Sequence, residues 1–257
     1  MLVDGFDHYN QTKAQLIMAQ NPKIGKCVHC LKEGIELTAD HMFPKAWYPN
    51  TTPENLEKWQ IPSCRSCNSR YGKIESDLLG RIALTLDTKN PASAGLCEKA
   101  LRALNPAAGR DEGDAAAREA RAKKILADMF KGKQIKTGNI VPGLGERWER
   151  PLEEQLAIKI PEESFPAMTE KIVRGLAHRE DKTFIEPPQK LECFLAKEEG
   201  AKGVRELLEK HGDVFKREPG LVIRRARLDG GDVYEITFWD QFRTYATVSK
   251  DAEASTS

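Results

Sequence analysis

The sequence predicts an α+β protein in two parts: a metal-stapled N-terminal lobe with a helical extension, and a small C-terminal α+β domain. Three observations carry this. Four of the six cysteines fall in two C-x-x-C pairs, Cys27/Cys30 and Cys64/Cys67, inside a stretch too poor in apolar residues to hold itself together. Directly after the second pair the apolar residues switch to helical spacing. Near the end of the chain, two β-rich runs flank Asp229-Gly230-Gly231-Asp232, the composition of a hairpin turn.

In chain order, Gln11–Gln20 reads as a helix stopped by Asn21-Pro22. Ile35–Ala39 alternates loosely and suits a strand, and Ile61-Pro62 gives a short extended piece. Residues 42–54, with Pro44, Trp47, Tyr48, Pro49 and Pro53, form a loop. Helices follow at about 69–87, 93–104 and within 106–131, the last one alanine-rich and charged on an exposed face. Residues 132–150 read as a linker. Beyond them, strands are expected at 156–160 and 191–196, helices at 166–178 and 203–211, and three antiparallel strands at 221–228, 233–239 and 241–248. The tail, 251–257, is polar and reads as disordered. The domains expected are therefore 1–131, with its flanking helices, and 151–250.

Composition narrows the function classes. In 257 residues, forty basic side chains meet thirty-nine acidic ones for a net charge of +1, which excludes a polybasic chain but allows one local basic patch. No apolar run reaches the ~18–20 residues that span a bilayer. The first residues, Met1-Leu2-Val3-Asp4-Gly5-Phe6-Asp7, lack the basic flank and apolar block of a signal peptide. A soluble, cytoplasmic protein with no membrane partner is the expectation.

Two C-x-x-C knuckles separated by 33 residues are a ligand set for one tetrahedral ion, and Zn²⁺ prefers four thiolates. Such an ion is structural, since four protein ligands leave no open position. A rubredoxin-like iron site uses the same ligands. His29, inside the first knuckle, reads as a surface residue. Cys97 and Cys193 read as buried, reduced thiols.

Between the knuckles lie Asp40-His41-Met42-Phe43-Pro44 and Asn55-Leu56, and Asn68 follows the last cysteine. A zinc ribbon needs none of these. Metal-assisted hydrolysis of a phosphodiester needs a base, an ion and hard oxygen ligands. His41 can be the base, and Asp40 and Asn68 can offer oxygens to a Mg²⁺ or Mn²⁺ ion. Taken singly, Asp40 could cap a turn, His41 could pack, and Asn68 could cap the helix.

The order C-x-x-C, Asp-His-x-x-Pro, Asn-Leu, C-x-x-C-Asn, over residues 24–85, resembles the HNH endonucleases, the ββα-metal family. Asn68 in place of the more common histidine resembles the H-N-N variants and the phage endonuclease-VII-like resolvases. The resemblance implies that Asp40-His41 ends the first strand of a hairpin and that Asn68 lies on the helix. It implies that His41 polarises water, that Asp40 and Asn68 hold the divalent ion, and that Asn55 restrains the loop bearing the base. DNA is implied as the commoner substrate. Lys45, Arg65, Arg70, Lys73 and Arg81 are candidate phosphate contacts, with Trp47 and Tyr48 as aromatics that either wedge against bases or pack. The competing class is a non-catalytic zinc module that binds nucleic acid or protein. Residues 151–250 carry no motif tied to chemistry.

Overall fold

A computed structural model describes residues 23–134, 141 and 151–250. The expected helix at 11–20, most of the 132–150 linker and the tail lie outside the described residues.

The N-terminal lobe begins with three antiparallel strands in the order β1 (Lys23–Gly25), β2 (Ile35–His41), β3 (Gln60–Cys64). Leu37 pairs with Cys64 and His41 with Gln60, so the far end of β2 sits beside the start of β3. Helix α1 (Arg65–Ile82) follows β3 without a loop. Its N-cap is Cys64, whose Sγ accepts from the Cys67 amide, so a metal-ligand candidate starts the helix and Asn68 is free of that duty. The helix begins four residues earlier than its periodicity suggests because the knuckle itself is its first turn. Two further helices, α2 (Leu96–Leu104) and α3 (Glu112–Ala127), pack against it. The N-cap of α3 is Asp111, whose side chain accepts from the Asp114 amide.

Strand β4 (Met129–Lys131) pairs antiparallel with β5 (Leu156–Ile158), so the chain on the near side of residues 132–150 is hydrogen-bonded to the chain on the far side. Helix α4 (Ser164–Leu176) ends in a wide turn, Ala177–Asp181. A five-stranded antiparallel sheet completes the fold, in the order β6, β10, β9, β8, β7. Its strands are β6 (Lys190–Phe194), β7 (Asp213–Arg217), β8 (Leu221–Leu228), β9 (Gly231–Phe238) and β10 (Phe242–Ser249), with α5 (Glu198–His211) lying over β8 and β9. The three expected strands at the end of the chain are present; β7 has no counterpart in the sequence reading. The β8–β9 turn closes at Leu228↔Gly231, and Gly231 has φ +146°, where a side chain would also strike the Val248 carbonyl.

One apolar core runs through both halves. Met42, Phe43 and Trp47 of the loop after β2 meet Phe238, Trp239 and Phe242 of the large sheet. The Trp239 indole donates to the Trp47 carbonyl at 2.8 Å, and the Trp47 indole donates to the Glu75 carbonyl. Helix α4 lies directly on the small hairpin: a Cβ at Gly175 would come within 2.7 Å of the Met42 side chain. Trp47 and Tyr48 are therefore core residues, and the wedging role considered for them is corrected to packing. At the outer edge, Trp59 is covered by the guanidinium groups of Arg217 and Arg179, and both arginines also pair with Glu57.

Candidate functional site

The small hairpin and α1 place two constellations side by side. The first is the cysteine quartet. The ligand atoms of Cys27, Cys30, Cys64 and Cys67 all lie within 4.8 Å of one another. A tetrahedral Zn–S bond of about 2.3 Å sets neighbouring sulfurs about 3.8 Å apart, and Cys30 Sγ and Cys64 Sγ are separated by 3.8 Å. The donor set and spacing fit a tetrahedral ion such as Zn²⁺. The surroundings already favour thiolate at Cys64: burial works against it, but the Ser66 hydroxyl and the Cys67 amide outweigh that and bring the thiol down to about 6. Among the described residues, the apolar side chains packed on the quartet are Ile35 and Leu37, both half-buried. Val28 ties the Cys27–Cys30 turn into the main core, and its amide donates to the Pro62 carbonyl; an ion on the four thiolates would add to that hold.

The second constellation begins at the end of β2. Successive side chains of a strand point to opposite faces, so Asp40 turns inward and His41 outward. Asp40 is 4 % exposed. Its Oδ1 accepts from the Lys171 ammonium of α4 at 2.8 Å, and its Oδ2 faces His29 Nε2 at 3.5 Å. The same ammonium reaches Glu75 on α1, and its Nζ lies 5.5 Å from the Tyr71 ring centroid. Lys171 is completely buried. The His29 ring packs on Tyr71 at 4.5 Å, so the surface role expected of His29 is corrected: it is a buried member of this cluster.

Burial pushes the Asp40 carboxyl up, but His29 and Lys171 together outweigh it and leave the group below its ordinary range. Burial dominates at Glu75, whose carboxyl stays raised despite Lys171. The ammonium is shared between the two carboxylates. Burial also lowers His29, which keeps the imidazole neutral beside the pair.

Asn68 lies in the first turn of α1, facing the same side of β2, where its Nδ2 donates to Thr38 Oγ1 at 3.0 Å. His41 is half-buried, with Nε2 3.3 Å from the Gln60 amide nitrogen. Burial lowers the imidazole below its ordinary value, with Lys45, Lys171 and Lys58 acting in the same direction and Asp40 against them. Asn55 is exposed in the turn after Pro53, where no side-chain hydrogen bond to it is seen among the described residues. The loop is held by the Met42 amide, which donates to the Trp59 carbonyl.

Lys45 is exposed near His41, with Lys58 beside Tyr48. Arg65 and Arg70 are exposed on α1, Arg70 over the Tyr71 ring. Lys73 instead lines a shallow groove between α1 and α3 with Arg121 and Lys124. Arg81 is withdrawn from the phosphate-contact set: it is fully buried and tied to Asp77 and Asp128. Cys97 and Cys193 are half-buried, less enclosed than expected.

A divalent ion on Asp40 and Asn68 does not fit this arrangement. One Asp40 oxygen is on an ammonium, and the other faces a buried imidazole. Mg²⁺ also retains several waters, for which a pair as enclosed as Asp40 and Lys171 leaves no space. Sequence reasoning passed over Glu75 and Lys171. Glu75 is seven residues beyond Asn68 on the same helix face, a signal the sequence does contain. Lys171 is 131 residues from Asp40 and carries none.

Comparison with protein-family models, with curated proteins and with solved structures found no match.

Proposed function

We propose that this chain is an HNH-type endonuclease that hydrolyses phosphodiester bonds, DNA before RNA, with His41 as the general base. The observation that carries the reading is the placement of His41. It ends the strand of a hairpin that runs straight into a helix, it faces outward, and its lowered pKa keeps it neutral near pH 7. Gln60 orients the ring, and Lys45 and Lys58 supply positive charge that draws a phosphate toward it. In this role His41 takes a proton from water as the oxygen attacks phosphorus, and the P–O bond to the leaving sugar oxygen breaks in line, that oxygen taking its proton from solvent. An ion held by Cys27, Cys30, Cys64 and Cys67 would keep hairpin and helix in register and would take no part in the chemistry.

A specific observation favours a second reading, a non-catalytic zinc module that binds nucleic acid or protein: Asp40, the expected ion ligand, is already held by Lys171. The deciding experiment incubates zinc-loaded protein with plasmid and with branched duplex DNA, in Mg²⁺, Mn²⁺ or chelator, beside His41→Ala. Cleavage lost in the variant supports the nuclease. Cleavage that survives His41→Ala refutes the base. DNA retained in a gel shift without cleavage, by a folded protein, selects the binding module.

A further inference from the structure

We propose that Lys171 is the resident cation of this site: its ammonium, delivered by α4, stands where a divalent ion on Asp40 would stand, and Asp40 takes no such ion while Lys171 is in place. The inference rests on the reading of Asp40 as the cation-facing residue of the site, but it concerns binding, not cleavage.

The geometry is that of a built cation seat. Two carboxylates from different elements, Asp40 on β2 and Glu75 on α1, converge on one nitrogen contributed by a third element. The aromatic face of Tyr71 lies beside the same nitrogen. Lys171 is completely buried, and Asp40 nearly so, which makes this an interior site and not a surface ion pair that exchanges with water. Asp40 Oδ2 and both ring nitrogens of His29 are buried without a well-formed hydrogen bond, so the seat has donor atoms to spare beyond those the ammonium uses.

Charge works against joint occupancy. A Mg²⁺ or Mn²⁺ ion binds a carboxylate oxygen at roughly 2.0–2.2 Å. With Nζ 2.8 Å from Asp40 Oδ1, an ion on the same oxygen would stand only roughly 4 Å from the ammonium, two positive centres in a medium that screens them poorly. The two therefore compete for the seat. An ammonium has no coordination shell to complete and offers three donors, so it suits a seat without room for waters better than a hydrated ion does.

The test titrates the full-length, zinc-loaded chain with Mn²⁺ to about 1 mM and follows the free ion by electron paramagnetic resonance, a window that covers sites of millimolar affinity or tighter. Wild type and Asp40→Asn are expected to bind alike. Lys171→Ala is expected to gain one site at least tenfold tighter than any in wild type, and Lys171→Ala/Asp40→Asn to lose it again. A wild-type site abolished by Asp40→Asn overturns the proposal, because the ion then displaces the lysine. A folded Lys171→Ala protein that gains no site overturns it equally. Should Lys171→Ala not fold, the comparison of wild type with Asp40→Asn decides alone, by the presence or absence of an Asp40-dependent site. Failure of the nuclease reading appears only in the cleavage assay and leaves these outcomes readable.

Discussion

Replacing Lys171 with methionine keeps most of the side-chain volume and removes only the charge, so the effect on stability isolates the ammonium. Its Nζ is 2.8 Å from Asp40 Oδ1, and it also contacts Glu75. At an effective dielectric of about 20, such a contact supplies roughly 4–6 kcal/mol of attraction. Burying the ammonium costs several kcal/mol in return. The intact pair is thus close to neutral, but the variant keeps the cost of two buried carboxylates and loses the attraction. Glu75 limits its share by taking up a proton, since its pKa is already raised. Asp40, side chain 5 % exposed, loses the ammonium that works against its burial and is left with His29 alone. The expected loss is about 3–5 kcal/mol. Urea denaturation of the zinc-loaded protein at pH 7, followed by tryptophan fluorescence, measures it, because Trp47, Trp59 and Trp239 all sit in the shared core. Adding Asp40→Asn should recover about 1–3 kcal/mol, the coupling of the pair. A loss below about 1 kcal/mol, in the range of surface substitutions, would show that Lys171 does not reach the carboxylates in solution.

Other expectations follow from the same geometry. Asp40 has a depressed folded pKa, so its contribution is complete above the unfolded value of about 3.9 and disappears as pH falls through the lower, folded value; acid titration of stability should lose this component in Asp40→Asn. Any cleavage that uses His41 should fall as pH drops through a midpoint below 6.5, because the base must be neutral; a midpoint above 7 contradicts the placement of that imidazole. Cys30→Ser should abolish stoichiometric metal binding, measured by elemental analysis, and lower the unfolding midpoint followed by circular dichroism, since Ile35 and Leu37, both half-buried, are the apolar residues packed on the quartet among the described residues. Trp47→Ala, at a residue 1 % exposed, should cost about 3–5 kcal/mol. Limited proteolysis of that variant should then cut both halves; nicking confined to residues before 131 would show that the large sheet stands without the loop.

Much of the scaffold was legible because its causes are local. Helix α1 follows from apolar spacing, the β8–β9 turn from two glycines between aspartates, and the quartet from two C-x-x-C knuckles with metal-ligand spacing. Legibility ended where the cause was tertiary. Strand β7 is seen only through its pairing with β8, and its Val214 is exposed, so no alternation marks it. The expected division of the chain at residues 132–150 follows from glycine content alone. Nothing local records that β4 and β5 pair across that segment, or that Trp47 would meet Trp239.

The site shows the same boundary at the scale of single atoms. Motif order puts Asp40 and His41 at a strand end, and strand alternation then separates them, one inward and one outward. What Asp40 does next depends on what lies on the inner face. An open inner face would leave a hydrated carboxylate ready for a metal. Here α4 closes it, and Gly175 lets that helix approach the hairpin closely enough for Lys171, one turn earlier, to enter. A larger residue at position 175 would collide with Met42 and push α4 outward, lengthening the Lys171–Asp40 contact. Gly175→Leu should therefore weaken the ion pair without altering any charged group. If Lys171 is what keeps divalent ions from Asp40, that variant should also begin to bind Mn²⁺, at the cost of stability. An unaltered Mn²⁺ titration in a folded Gly175→Leu protein would mean that the seat is closed by something other than the lysine.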